Sequence, residues 1–466
     1  MALAEEIVRH RRTIYAMRTF SNFKLFFTSH QPPAASHRPP ATLFLVSCLL
    51  LLASSAHARI YIPVDQPSNK KFPIAVTKLT SEEGYHGKFL GDIPEIIKND
   101  LTLSGYFELI SDSAFLDTGT GFTADTINFA KWTAIEAGAL VKGAVRRVGG
   151  KNIVQLKLFD PYSAQMLVGK QYSADDRDIR SVAHRFSDEI MLVLTGVRGI
   201  FNTKIAYSGV TGKSNKAIFV MDVDGESNGR ITKGNTLDMG PSWSPDGGRL
   251  VYASYQKGNP EIFMTDLGGG SAKQLTKNKS TNITPEFTPD GKTVYYSSSL
   301  GDATELFSVG VSGGKAKQIT SFGGINIAPR FSLDGGTMVF SSTMAGRLHV
   351  YRQNLGGGGL SRLTFVGVHN DSPDISPDSS KIVFCGQDMG TFDIFVMNTD
   401  GTNIQRLTVA SGSNEHPRWS PDGRYIVFSS TREKGSAIYM MRSDGSNQVR
   451  MSKGNGSLPD WGPWIK

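Results

Sequence analysis

Two rhythms of apolar residues divide this chain. Between residues 59 and 195 helical and strand spacings are mixed. In Ile93-Pro-Glu-Ile-Ile-Lys-Asn-Asp-Leu101 the apolar positions recur on one helix face, Gly105 stops that helix, and Tyr106 to Ile110 reads as a strand. Leu140 to Val148 and Ile153 to Phe159 are strand-like runs joined by Gly149-Gly150, a hairpin signal, and a further strand is expected near Met166 to Tyr172. Ile179, Val182, Phe186, Ile190 and Leu194 then form one stripe, the pattern of a helix laid on a sheet. The pattern predicts an α/β domain over 59–195, followed by a linker over 196–203 marked by Gly196 and Gly199.

From Lys204 the runs become short, alternate in polarity and repeat every 44 residues. Trp243-Ser-Pro-Asp-Gly247 returns as Phe287-Thr-Pro-Asp-Gly291, Phe331-Ser-Leu-Asp-Gly335, Ile375-Ser-Pro-Asp-Ser379 and Trp419-Ser-Pro-Asp-Gly423. A second landmark keeps the same step: Arg230-Ile-Thr232, Gln274-Leu-Thr276, Gln318-Ile-Thr320, Arg362-Leu-Thr364, Arg406-Leu-Thr408 and Arg450-Met-Ser452. Six units of this period, each with several short strands, predict a six-bladed β-propeller over 204–466, because no blade can bury its own faces without neighbours. Each unit reads as four strands, the last ending at the hydroxyl landmark, with glycine-rich turns before that strand. The first unit lacks an innermost strand. Pro459-Asp-Trp461 matches Pro417-Arg-Trp419, so the C-terminal strand is expected to pair with residues 204–232 and close the ring.

Composition adds little to this, but charge and the N-terminus add something. The formal charge is +8, yet residues 1–58 hold six Lys/Arg against two Asp/Glu, and the remainder carries 44 against 40. That balance argues against nucleic acid as a partner. Residues 1–58 read as an export leader: basic positions up to Arg38, an apolar run from Leu43 to Ala53, and Ala56-His-Ala58 as the cleavage site, with processing after Ala58. The run is shorter than a membrane span of about 20 residues, and no span is expected in the mature chain. Leu45-Val-Ser-Cys48 has the outline of a lipoprotein box, but Leu49-Leu-Leu-Leu52 stays apolar where a processed lipoprotein turns polar. Cys385 is then the one cysteine of the mature chain, so packing and not a disulfide must hold the fold.

Candidate chemistry follows from the meander. The Ser-Pro-Asp-Gly and glycine-rich turns share one face and read as structural, with Asp246 and Asp422 accepting local backbone hydrogen bonds. The joints between units share the other face and converge on the axis through Thr281-Asn-Ile-Thr284, Ile325-Asn-Ile-Ala328, His369-Asn-Asp-Ser372 and Asn414-Glu-His416. Amides, hydroxyls and a few apolar side chains suit capture of an inserted peptide. Gly310-Val-Ser-Gly-Gly314 fits the nucleophile-elbow pattern but occupies a repeat turn with no helix after it. His369 and His416, 47 residues apart, are read as equivalent positions and become metal ligands only if folding unites them. No catalytic residue, metal or cofactor is assigned.

With these residues in place, the chain resembles the TolB family of periplasmic propeller proteins. The likeness rests on the exported α/β domain, the linker Leu194-Thr-Gly-Val-Arg-Gly-Ile-Phe201 and six units with Trp-Ser-Pro-Asp-Gly turns. It implies a non-enzymatic, monomeric adaptor of the Tol-Pal system in the periplasm, which serves outer-membrane invagination at division and envelope integrity. Its implied partners are the Pal lipoprotein, TolA and other outer-membrane proteins. TolA binding falls on Arg59, Ile60, Tyr61 and Ile62, where an extended end can add a strand to a partner's sheet. Pal binding falls on the joint face at Asn282, Thr284, Asn326, Ile327, His369, Asn370 and Asn414, placed there by repeat position. The competing reading is a periplasmic hydrolase or lactonase with its site on the propeller axis.

Overall fold

The computed structural model describes Ile62 and residues 71–268, 270–387 and 390–465; the leader, Ala58 and the segment Arg59, Ile60 and Tyr61 lie outside the described residues. The N-terminal domain is built on strands β1 (Phe72–Val76), β2 (Thr80–Ser81), β3 (Phe107–Leu109), β4 (Ala139–Val148), β5 (Lys151–Asp160) and β6 (Gln165–Ala174). Their order is β3-β1-β4-β5-β6 with β2 beside β4; β1 runs parallel to β3 and β4, and β4-β5-β6 is an antiparallel meander. Gly149 and Gly150 both take positive φ (56° and 82°), which a two-residue hairpin turn between β4 and β5 requires.

Helices α1 (Phe89–Ser104) and α3 (Ile179–Thr195) lie against one face of this sheet, where Ile93, Ile97, Leu101, Phe186 and Ile190 pack with Ile74, Val76 and Val141. Alternation sends Ala75 and Leu140 to the opposite face, which the short helix α2 (Phe129–Thr133) covers with Trp132. Both faces are therefore buried. The sequence pattern anticipates α1, α3 and the meander, but not β1, β2 or α2, whose two to five residues are too few to show a period.

The propeller consists of six four-stranded antiparallel sheets. Its inner strands are Gly456–Trp461, Asp238–Trp243, Asn282–Phe287, Asn326–Phe331, His369–Ile375 and Asn414–Trp419, in blade order from the first. Closure is as expected: Gly456 pairs with Gly209 and Trp461 with Ile205, so the first blade takes its inner strand from the C-terminal stretch. The hydroxyl landmark has a different role from the one its position suggests. The outer strands end two residues before it, as at Lys273–Gln274, and the hydroxyl instead accepts the backbone N–H of the third strand. Ile218, Ile262, Leu306, Val350, Ile394 and Ile438 donate to Thr232, Thr276, Thr320, Thr364, Thr408 and Ser452 at 2.8–3.0 Å.

Residues 196–203 do not behave as a loose linker. Ile200 and Phe201 are each 1% exposed, and the Asp188 carboxylate accepts the Phe201 N–H at 2.9 Å. One apolar core runs from α1 and α3 through Phe201 into Ile205, Met221, Tyr425, Val427 and Trp461. Polar contacts join the same surfaces: Tyr425 Oη donates to Ser104 O at 3.0 Å, Asn447 Nδ2 to Leu103 O at 3.1 Å, and Arg180 to Asp222 at 2.8 Å and to Asp224. Among the described residues no helix is long and apolar enough to cross a membrane.

Candidate functional site

The inner strands reach the axis with a common distortion. In each, the residue before the proline takes a left-handed backbone: Gly240, Thr284, Ala328, Ser372, His416 and Leu458 have φ between 49° and 60°. The strand register shifts at the same point, which marks a bulge. Glycine accepts this conformation freely, whereas other residues bear about 1–2 kcal/mol each, and a β-branched Thr is an outlier. A following proline restricts the residue further. The bulges bring these residues to the mouth of the axis on the joint face, where with Ile327 and Pro285 they line a recess of about 90 Å³.

Two of the predicted contact residues line this recess. Thr284 shares a hydrogen bond with Ser297 Oγ at 2.6 Å, and Ile327 stands beside Ala328. His369 is half-buried at the rim, edge-on to Phe392 at 5.1 Å, with Nε2 3.8 Å from the Asp371 carboxylate. Burial pushes Asp371 up, but the nearby His369 and the hydrogen bond from the Ser372 N–H outweigh it and hold the group below the usual carboxylate range. His416, also in the recess, is pushed down to about 4 by burial and is neutral at physiological pH.

The four asparagines require a correction. Asn282, Asn326 and Asn414 are fully buried and Asn370 is 4% exposed, so none offers its amide to a partner. Each is bound to a residue 21 positions earlier, on the third strand of the preceding blade: Asn282 to Glu261 at 2.9 Å, Asn326 to Glu305 at 3.1 Å, Asn370 to His349 at 3.3 Å and Asn414 to Asp393 at 3.2 Å. They tie blade to blade and hold the joints from beneath. The histidine pair is also not equivalent: 44 residues after His369 stands Ser413, while His416 matches Ser372.

Below the recess the axis is blocked by charge. Ser242, Glu286, Arg330, Asp374, Arg418 and Asp460 hold equivalent positions on the six inner strands. Ser242 donates to Glu286 at 2.8 Å; Arg330 bonds Glu286 and reaches across to Asp460 at 3.1 Å, which also lies 3.4 Å from Arg418. Burial pushes Glu286 up to about 7 against the attraction of Arg330. On the turn face the same ring floors a well of about 370 Å³ walled by Trp243, Phe287, Phe331, Leu333 and Trp419. The motif residues that read as purely structural thus also shape a cavity, although the turn aspartates do what was expected: Asp246 accepts from Ser244 Oγ and Gly248 N at 2.5 and 3.0 Å.

This architecture agrees with family comparisons. The model described as the TolB beta propeller domain matches residues 192–465, and that of the TolB amino-terminal domain matches residues 60–167. The chain belongs to the TolB family. Tol-Pal system protein TolB of Desulfosudis oleivorans is 34% identical over 222 residues, 47% of this chain and 50% of that protein. The protein of the same name from Syntrophotalea carbinolica is 34% identical over 211 residues, 44% and 48% respectively. The chain spans about half the length of the curated relatives it matches. The crystal structure of TolB from Acinetobacter baumannii superposes with a TM-score of 0.75 at 25% identity, covering 85% of this chain and 97% of that one. As a TolB-family member the chain is a periplasmic β-propeller protein.

Three further features bear on what a TolB-family chain can do. Ile62, the described part of the expected N-terminal binding segment, is 8% exposed; it packs in the core shared by the two domains and donates its N–H to Leu194 O at 2.7 Å. The elbow-like Gly310–Gly314 stretch is a hairpin turn between strands Ala303–Gly310 and Lys317–Gln318. Among the described residues one cluster, Asp100, His184 and Asp224, has metal-ligand spacing. Arg180 already sits in it, bonded to Asp224 and 3.1 Å from His184 Nε2, which makes the cluster a domain clamp and not a cation site.

Proposed function

We propose that this chain is a non-enzymatic adaptor of the Tol-Pal system. It binds the Pal lipoprotein over the joint face of the propeller and TolA through Arg59, Ile60, Tyr61 and Ile62, and so serves outer-membrane invagination and envelope integrity. The observation that carries the reading is the mouth of the axis, where six left-handed residues are held in bulges on one face. Backbone strain of this kind persists where the surrounding structure over-determines it, as at ligand clamps. The printed name of the curated relatives, Tol-Pal system protein TolB, supports the same assignment.

The position of Ile62 sets a condition on the second contact. A segment whose one described residue is buried between the domains must leave that core to add a strand to TolA, so TolA binding competes with the closed arrangement. The test is a calorimetric titration of the chain with the soluble domain of the same organism's Pal, repeated with Ile327→Asp and His369→Ala. Binding at about micromolar or tighter, weakened by both changes with the melting temperature preserved, is expected. Folded partners that give no heat at several temperatures would overturn the reading.

A further inference from the structure

The residue directly after each hydroxyl landmark emerges at the same point of its blade, because the hydroxyl is fixed to the third strand in all six. Around the ring that position reads Lys453, Lys233, Lys277, Ser321, Phe365 and Val409. The lysines are consecutive, and so are the apolar residues. Neighbouring joint positions sharpen the division. Lys279 adds to the basic half, whereas Phe322, Ile325, Val366 and Val368 add to the other. All four lysines are exposed. Phe365 is 70% exposed, Val366 79%, Val409 65%, Val368 50%, Ile325 47% and Phe322 38%.

Exposed aromatic and branched side chains grouped this way mark an interaction surface, not ordinary scatter. Some of the apolar group is held in place from within: Phe322 stacks on Phe340 at 6.2 Å, and the Arg362 guanidinium lies 4.9 Å over the Phe365 ring. Among the described residues these four lysines make one ion pair, Lys453 to Glu226 at 2.7 Å, a surface contact of little strength. We infer that the joints form a two-sided docking ring. The arc from Phe322 to Val409 receives an apolar patch of a folded protein, while Lys453, Lys233, Lys277 and Lys279 face an acidic patch on that same protein, fixing its rotation about the propeller axis.

The inference rests on the adaptor reading and deepens it by stating the polarity that the partner must show. A protein is favoured over an anionic bilayer by the segregation itself. A membrane surface is the same in every direction around the propeller axis and gains nothing from a division of the ring into an apolar arc and a basic one. A folded partner with two distinct sides engages both arcs and the recess between them.

The experiment uses the full chain and the soluble domain of the same organism's Pal, with affinity measured at about 50 and 300 mM salt, on either side of a Debye length of ~8–10 Å. The wild-type protein is expected to bind several-fold more weakly at high salt. Lys277→Glu with Lys279→Glu should lower low-salt affinity about tenfold and abolish most of the salt dependence. Val366→Asp, on an exposed side chain that leaves folding intact, should lower affinity about tenfold at both salts. If Pal binds and none of these variants changes affinity, the two-arc inference is wrong while the adaptor reading stands. If wild-type chain does not bind Pal, both fall. Vesicles of phosphatidylglycerol that bind the chain through Val366, while Pal binding ignores that residue, would assign the arcs to lipid and likewise overturn the proposal.

Discussion

Trp243 donates both of its N–H groups to Asp460: the backbone N–H to Oδ2 at 2.9 Å and the indole Nε1–H to the backbone oxygen at 3.2 Å. The same pair of bonds joins Trp419 to Asp374, so the strand that closes the ring uses the contact found between two ordinary blades. Asp460 also neutralises Arg330 and Arg418 in the axial ring. Asp460→Ala leaves buried guanidinium charge uncompensated and should cost about 3–5 kcal/mol. A chain stopped after Leu458 loses Trp461 as well and should melt far below the intact protein; an unchanged calorimetric midpoint would refute closure by this strand.

The hydroxyl landmark offers a cleaner substitution. Thr320 accepts the Leu306 N–H at 2.8 Å and donates to Glu305 at 2.5 Å. Thr320→Val keeps the shape but strands the buried Leu306 N–H and takes one of the hydrogen bonds from Glu305, for an expected loss of about 1–3 kcal/mol in urea unfolding. Thr320→Ser should be nearly neutral, since Ser452 already does this work in the sixth blade. A loss in Thr320→Ser with none in Thr320→Val would show that the methyl, not the hydroxyl, matters.

At the axis mouth, Ala328 holds a φ of 55°, close to the 60° of Gly240 in the second blade. Replacing a left-handed alanine by glycine removes strain of about 1–2 kcal/mol and adds about 0.5–1 kcal/mol of unfolded-state entropy. Ala328→Gly should therefore be slightly more stable than the parent by chemical denaturation. A clear destabilisation would mean that the methyl group, 7% exposed, contributes more packing than its backbone costs.

Stability should fall as pH rises from mildly acidic to neutral. Burial pushes the Asp188 carboxyl up to about 7, against backbone hydrogen bonds from Phe201 and Asn202. Between 3.8 and about 7 the folded chain keeps a proton that the unfolded chain has released, so folding weakens through that window and the penalty is complete above it. His184, raised above 6.5 by Asp100 in spite of burial, acts in the same direction, since its contribution is lost as it deprotonates. Asp188→Asn should flatten the profile of melting temperature against pH. A profile identical to wild type would exclude Asp188 as its source.

The propeller was legible because two periodic landmarks held a single 44-residue step, the turn motif in five copies and the hydroxyl in six. The asparagine column was equally periodic and was read as a polar binding ring. What it required was the column 21 positions upstream: Glu261, Glu305, His349 and Asp393. Where that column becomes Ala217, 21 positions before Asp238, or Ala437, 19 positions before Gly456, the asparagine is replaced as well, so the pairing was written in the one sequence as a correlated change. The left-handed residues left no such trace. Gly240, Thr284, Ala328, Ser372, His416 and Leu458 share no side-chain chemistry, only a backbone state imposed by the bulge before proline. The axial ring was hidden for the opposite reason: an acid, an arginine and a serine at matching positions look like drift until the strands converge.

Pairing of Ile205 with Trp461 spans 256 positions, and this sets a timetable. At about 5–20 residues per second, synthesis separates the two by roughly 10–50 s. Throughout that delay the strand Lys204–Val210 lacks its inner neighbour and exposes an unpaired edge to any other extended chain. Five blades can gain internal structure in sequence, but the ring cannot lock until its closing strand arrives. In a chain whose blades have formed but whose closing strand is missing, that edge is a place where this propeller can pair with the wrong molecule.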